Sequence, residues 1–153
     1  MTTRIEDEDI LHLLTGRTPL NLNRFLSYNL KEAGISLTKE QWSVMAVLWK
    51  NDGCTQQVLA DATDRGRAGI TRLLDNLEKE GFIERRASKA DRRANLIFLT
   101  KRGIAIEKEV VAVVEETISA ITKNISDDEI KRLRIIFEKI NKNILEIGIH
   151  QES

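Results

Sequence analysis

Residues 55–100 read TQQVLADATDRGRAGITRLLDNLEKEGFIERRASKADRRANLIFLT, and this stretch decides the fold. Thr55 suits the N-cap of a short helix over 56–62, because a threonine hydroxyl can accept a backbone N–H of the first turn. After a polar turn, a second and longer helix is predicted over about 67–80, and Gly81 ends it. Helical spacing places its apolar side chains on one face, namely Ile70, Leu73, Leu74 and Leu77.

Two strand-like runs follow the second helix. Residues 82–86 and 95–99 flank the polar loop 87–94, and this arrangement predicts a β-hairpin. A short helix, a tight turn, a longer helix and a hairpin, in that order, are typical of a winged helix-turn-helix. The hairpin is then the wing.

The second helix carries polar and basic residues near its N-terminus, on the side away from its apolar face. A DNA major groove about 12 Å wide admits one such helix, and the shorter helix before it braces it against the backbone. Arginine can bind guanine through two hydrogen bonds, and threonine can reach base edges or phosphates. The residues expected to contact DNA here are Thr55, Arg65, Arg67, Ala68, Thr71 and Arg72.

The tip of the hairpin is too polar to be packed in a core. An arginine at such a tip can enter an A·T-rich minor groove, and we expect Asp91 to orient the guanidinium of Arg93 by a charge-assisted hydrogen bond. The whole chain has no net charge, yet 9 basic and 5 acidic residues give 65–93 a local excess of positive charge. The candidate DNA contacts of the tip are Lys89, Asp91, Arg92 and Arg93.

The flanking sequence is helical. A helix is predicted over about 20–33, after a short helix or arm, and a capping box at Thr38–Gln41 opens another that ends near residue 51. A long helix is predicted from Thr100 to about residue 123, and a second capping box at Ser126 opens a last helix with apolar residues through 147. The fold class is therefore mainly α, of the α+β kind.

The resemblance to a known family rests on three motifs. Residues 77–85 fit the pattern L-E-x-x-G-[LF]-I-x-R, residues 91–93 are D-R-R in the wing, and residues 99–103 fit L-T-x-x-G at the start of the next helix. Each motif is weak alone, but all three occur in order and at suitable spacing. The chain closely resembles the MarR family of bacterial transcriptional regulators over nearly its whole length.

The resemblance implies a homodimer that binds double-stranded DNA. Its parts would be an N-terminal dimerisation segment (1–34), the winged helix-turn-helix domain (35–102) and C-terminal dimerisation helices (103–150). In such a family, Arg67, Ala68, Thr71 and Arg72 match the groove-facing side of the recognition helix, while Arg93 and Asp91 match the wing-tip pair. A dyad-related pair of recognition helices implies a pseudo-palindromic operator, and repression is the family expectation.

A small-molecule effector is a further family expectation. Many members release DNA when a small, often phenolic, molecule enters a cleft between the dimerisation helices and the winged domain. Aromatic residues at helical spacing can equally be core, and that alternative stays open. The residues that could line such a cleft here are Tyr28, Trp42, Met45 and Trp49.

Other chemistry has little support in the sequence. Cys54 is the single cysteine and lies away from the position of the family's oxidant-sensing cysteine, and His12 and His150 are too few and too far apart for a zinc site. We expect no metal and no cofactor. Phosphate loops, nucleophile elbows and metal-binding helix motifs are missing, so an enzyme is not expected.

One competing class remains, a winged helix that binds another protein rather than DNA. Its exposed face would more often be apolar than basic, which favours the DNA-binding interpretation. The chain has no apolar run long enough to cross a membrane, and its acidic start is unlike a signal peptide. These features predict a cytoplasmic protein.

Overall fold

The computed structural model describes the backbone of residues 4–148 and the side chains of residues 9–148. Within that part, three helices come first: α1 (Arg4–Thr15), α2 (Arg17–Glu32) and α3 (Lys39–Lys50). The winged unit follows as β1 (Cys54–Thr55), α4 (Gln56–Ala62), α5 (Arg67–Lys79), β2 (Ile83–Ala87) and β3 (Asn95–Leu99). The described chain ends with α6 (Lys101–Ala105), α7 (Glu107–Ile121) and α8 (Asp127–Glu146).

The sheet is small and antiparallel, in the order β1-β3-β2. Arg85 of β2 lies opposite Ile97 of β3, and Cys54 of β1 pairs with the same Ile97 from the other side. The hairpin over β2 and β3 confirms the predicted wing. The two-residue strand β1 was not predicted, because Cys54–Thr55 is too short to show the alternation of a strand.

Both predicted capping boxes are present. The Thr38 hydroxyl accepts the N–H of Gln41, whose side chain accepts the N–H of Thr38 in return. Ser126 and Glu129 repeat the arrangement at the start of α8, and the hydrogen bonds from the backbone and side chain of Ser126 lower the pKa of the Glu129 carboxyl. These caps satisfy backbone N–H groups that have no partner within the helix.

Two helix boundaries differ from prediction. Helix α2 begins at Arg17 rather than near residue 20, because Pro19 lies in the first helical turn, where no backbone N–H is needed. The short helix or arm predicted before it is α1, and Gly16 joins the two helices. A Cβ at residue 16 would lie 2.4 Å from the carbonyl oxygen of His12, which is too close, so the junction favours glycine. The predicted helix from Thr100 is divided at Ile106 into α6 and α7.

The core lies between α2, α3, α4, α5, the sheet and the start of α7. Its largest fully buried side chains include Phe82, Leu74, Leu77, Ile97 and Met45. Helix α8, in contrast, has no buried residue. Among residues 4–148, no helix combines the length and apolarity needed to cross a bilayer.

Candidate nucleic-acid interface

Helix α5 is held by one face and exposed on the other. Ile70, Leu74 and Leu77 are buried against the core, whereas Arg67 and Arg72 are exposed near the N-terminal end. Gly66 is the N-cap residue, with no side chain to bond the first backbone N–H groups. The exposed side of α5 can therefore approach another molecule closely.

An open groove of about 890 Å³ runs along this exposed side. It brings together five of the residues predicted to contact DNA, while Thr55 and the wing tip lie outside it. Arg65 is half-buried there, and its Nε has no hydrogen-bond partner in the part of the chain that the structure describes. The groove is lined by Gln57, Ala60, Asp61, Arg65, Gly66, Arg67, Ala68, Thr71, Arg72 and Asp75.

A second groove of about 360 Å³ connects the recognition helix to the wing. Arg93 of the wing and Asn95 of β3 line it together with Arg67 and Thr71 of α5. The other residues that line it are Gln56, Gln57, Ala60 and Ile70. Arg93 is thus the tip residue that the structure brings to the recognition helix, whereas Lys89 and Arg92 are exposed outside both grooves.

Two predicted threonines have their hydroxyls engaged within the protein. The Thr55 hydroxyl caps α4 by accepting the N–H of Val58 at 3.2 Å. The Thr71 hydroxyl donates to the carbonyl oxygen of Arg67 at 2.8 Å and accepts the Gln56 amide Nε2 at 2.6 Å. Direct base contacts therefore depend more on the arginines than on these two hydroxyls.

Sequence reasoning missed Gln56, Gln57 and Asn95, which line the second groove. Amide side chains can bind adenine through two hydrogen bonds, so these residues suit a DNA-reading surface. Gln56 and Gln57 open α4, directly after its Thr55 cap, and that position in a helix-turn-helix was the available signal.

The expectation for Asp91 is wrong in one respect. Its carboxylate accepts the backbone N–H of Arg93 at 3.0 Å. Among the described residues, this is the only hydrogen bond between Asp91 and Arg93, and it does not involve the guanidinium. Ser88 completes the turn by accepting the N–H groups of Ala90 and Asp91. A carboxylate two residues before a backbone N–H forms this short-range bond readily, so it shapes the loop and leaves the arginine side chain exposed.

Arg85 links the wing to the recognition helix. Its Nη2 lies 2.7 Å from Asp75 Oδ1, and its Nη1 lies 3.0 Å from Glu78 Oε1. Its backbone N–H also donates to Glu78 Oε2 at 3.1 Å. The neighbouring Arg86 pairs with Glu84 on its own strand and stacks on Phe98 instead.

The predicted effector residues do not lie together. Trp42 and Trp49 line a cleft of about 210 Å³ between α3 and α7, with Val111, Val114, Lys50 and two glutamates, Glu107 and Glu115, among the other lining residues. Met45 is fully buried in the core, and Tyr28 is 60% exposed outside this cleft. The core alternative therefore holds for Met45, and only the tryptophans remain candidates.

Neither Cys54 nor the histidines were predicted to form a functional site. Burial raises the pKa of the Cys54 thiol, with a smaller contribution from nearby Asp52. Over the residues whose side chains are described, no group of three His, Cys, Asp or Glu could hold a metal ion. His150 lies outside the described residues.

Known structures share this architecture. A probable transcriptional regulator from Pseudomonas aeruginosa is 27% identical, with a TM-score of 0.67 over 76% of this chain and 88% of its own. A mutant MarR from E. coli, complexed with operator DNA, is 24% identical, with a TM-score of 0.79 over 91% of this chain and 99% of its own. A MarR-family regulator from a Rhodococcus species is 21% identical, with a TM-score of 0.74 over 92% of this chain and 96% of its own.

The sequence comparison agrees with the fold. Residues 37–94, which span α3, the helix-turn-helix and most of the wing, match the family model described as MarR. The same residues carry the motifs L-E-x-x-G-[LF]-I-x-R and D-R-R. The winged unit of this chain is therefore similar to the MarR family.

Proposed function

We propose that this protein is a transcriptional regulator that binds duplex DNA with sequence specificity. The observation that carries the proposal is the position of Arg93. The wing places it in a groove that it shares with Arg67 of the recognition helix, next to the larger groove that holds Arg65 and Arg72. The operator complex of the E. coli MarR relative supports the same use of the fold.

In the proposed complex, α5 enters the major groove and the wing follows the adjacent minor groove. Arg67 and Arg72 are exposed and can reach guanine edges, while Arg93 enters the minor groove. Arg65 Nε, which is buried and has no hydrogen-bond partner among the described residues, would gain one in a phosphate oxygen. Thr55, Thr71 and Asp91 act indirectly, by holding the elements that carry these arginines.

The functional unit is proposed to be a homodimer. Helix α8 buries none of its residues within one chain, although Leu133, Ile136, Phe137 and Ile144 recur along it at helical spacing. Ile10, Leu11 and Leu13 of α1 are also exposed. A second copy would cover these apolar surfaces, place two recognition helices about one turn of DNA apart and favour a pseudo-palindromic operator.

We further propose that the protein is a cytoplasmic repressor without enzymatic activity. Occupancy of a promoter is sufficient to block transcription, whereas activation requires a contact with the transcription machinery. The division into dimerisation segments, 1–34 and 103–150, around a DNA-binding domain, 35–102, belongs to the same proposal.

A small-molecule effector is proposed for the cleft beside Trp42 and Trp49. Two aromatic rings and two valines make it largely apolar, and Glu107 and Glu115 outnumber Lys50 as charged groups. A neutral or positively charged aromatic molecule suits this balance better than a phenolate. Because the cleft joins α3 to α7, an occupant could change the position of the winged unit relative to the dimerisation helices.

The alternative is a protein-binding winged helix without DNA-binding activity. A specific observation opposes it, since α5 exposes arginines where an interaction module would more often expose apolar residues. Most of the exposed large apolar residues lie on α1, α2, α7 and α8, and the dimer proposal already uses those of α1 and α8. Val58 of α4 and Ile104 of α6 are isolated exceptions.

The test is to select bound fragments from random duplex DNA and to measure affinity for the selected sequence as salt concentration is raised. A protein that neutralises phosphates should lose affinity steeply, with a slope of log affinity against log salt near −0.9 for each phosphate contacted. Arg93→Ala should weaken operator binding while the dimer stays folded. A flat salt response without sequence enrichment would reject the DNA-binding function and favour the protein-binding alternative.

A further inference from the structure

An acidic pair lies on the recognition helix close to the surface proposed to face DNA. Asp75 lies one turn beyond Arg72 and lines the same groove. Glu78 follows three residues later, so the two carboxylates are neighbours on the helix surface. Asp75 is 61% exposed and Glu78 is 43% exposed. Two carboxylates here would repel phosphate oxygens along the path of the recognition helix.

Arg85 contacts both carboxylates. Its two Nη atoms bond one carboxylate each, at 2.7 Å to Asp75 and 3.0 Å to Glu78. Glu78 is further held by the backbone N–H of Arg85, so one carboxylate receives two donors from a single residue. The arginine side chain is only 19% exposed, which makes it the least solvated member of the group.

The sequence alone does not reveal this arrangement. Asp75 and Glu78 are on α5, whereas Arg85 is on β2 after the turn at Gly81. The pairing Arg85↔Ile97 places Arg85 in the wing hairpin, on the strand that leads to the loop carrying Arg93. The three residues therefore join the recognition helix to the wing.

We propose that Arg85 is a positioning residue for DNA binding, which neutralises Asp75 and Glu78 and turns their carboxylates toward the wing and away from the DNA backbone. This inference rests on the proposed DNA-binding function and adds a residue outside the predicted contact set. Arg85 acts through the carboxylates, because both of its Nη atoms are bonded to them and little of its side chain is exposed.

The planar guanidinium is required for this role. Its separate Nη donors reach two carboxylates at once, whereas a lysine ammonium is a point charge on a flexible stem. Arg85→Lys should therefore retain part of the effect and Arg85→Gln none of it. Arg86 provides a matched control, since it is the adjacent arginine on β2 and pairs with Glu84 rather than with the acidic pair.

The experiment measures affinity for the selected operator by fluorescence anisotropy, with thermal unfolding recorded for every variant. Arg85→Gln should weaken binding roughly tenfold, because two carboxylates lose their counter-charge near the phosphates. Adding Asp75→Asn and Glu78→Gln to Arg85→Gln should restore most of that loss. A purely structural role would not produce this rescue, since the triple variant lacks the ion pairs as well.

The same two substitutions in the Arg86→Gln background measure the general effect of removing negative charge. We expect them to improve binding there by less than about threefold, because Arg85 already neutralises the carboxylates in that background. Equal gains in both backgrounds, or no rescue of Arg85→Gln, would overturn the role of Arg85 and leave the DNA-binding function standing. Failure of the unmodified protein to bind duplex DNA would instead reject the proposed function, and the inference with it.

Discussion

Helices α5 and α8 have similar amphipathic patterns but different surroundings. Helix α5 buries Ile70, Leu74 and Leu77 against α3, α4 and the wing of its own chain. Helix α8 is longer and buries nothing, and Phe137 near its middle is 51% exposed. The apolar stripe of a helix predicts that it has a partner, but it does not tell whether that partner belongs to the same chain.

The two regions should therefore respond differently to protein concentration. The winged unit obtains its stability from contacts within one chain, so its unfolding is a property of that chain. The surfaces of α1 and α8 would be stabilised only on association, and their order should depend on concentration. The variants below separate these two kinds of stability.

Phe137→Glu should have the largest effect, because it would place a charge in the apolar surface of α8 proposed to be covered by a second copy. We expect self-association to weaken by roughly 100-fold or more, measured by sedimentation equilibrium. Operator affinity should fall as well, since the two recognition helices would no longer be linked. Lys139→Glu, on the opposite side of α8, is the control and should leave association nearly unchanged.

Leu74→Ala should remove a fully buried side chain from the winged unit. The free energy of unfolding should fall by about 2–5 kcal/mol, measured by urea denaturation followed by circular dichroism. The same loss is expected in the Phe137→Glu background, because Leu74 contacts its own chain. A loss confined to the associated form would mean that the winged unit is not independently stable.

Arg72→Ala tests the recognition helix with a smaller expected effect. If Arg72 reads a base, its replacement should cost about 1–3 kcal/mol of binding free energy at one operator position and relax the preference there. Binding to a panel of single-base operator variants measures this. Equal weakening across the panel would identify Arg72 as a phosphate contact.

The smallest effect concerns Cys54, which is buried in β1. Because burial raises the pKa of its thiol, the reactive thiolate should be scarcer at neutral pH than for a free cysteine. Alkylation by iodoacetamide should be slow in the folded protein and should accelerate as pH rises toward the raised pKa. Rapid alkylation at neutral pH would show that β1 opens readily, in contrast to the buried core around it.

The sequence predicted the winged unit well because its motifs correspond to local contacts. Thr100 caps α6 by accepting the N–H of Gly103, and its hydroxyl donates to the carbonyl oxygen of Gly81. A Cβ on Gly103 would come within 2.1 Å of the carbonyl oxygen of Phe82. The motif L-T-x-x-G therefore describes one packed junction between the wing and the next helix.

Contacts between elements could not be predicted in the same way. The hydrogen bond from Gln56 to Thr71, and the bonds from Arg85 to Asp75 and Glu78, depend on the angle at which elements meet. The spacing of Asp91 and Arg93 predicts a bond to the guanidinium, but the carboxylate accepts the backbone N–H of Arg93 instead. The spacing of two residues along the chain predicts whether they can come close together. It does not predict which of their donor and acceptor groups form the hydrogen bond.

The cleft between α3 and α7 has a practical consequence. It is lined by both tryptophans of the chain, and the indole Nε1 of Trp49 donates to the carbonyl oxygen of Gly103 at 2.9 Å. All of the indole fluorescence therefore originates beside the proposed effector position and next to the junction that supports the wing. The unlabelled protein thus contains an intrinsic optical probe, whose emission would report both an occupant of the cleft and a displacement of the wing base.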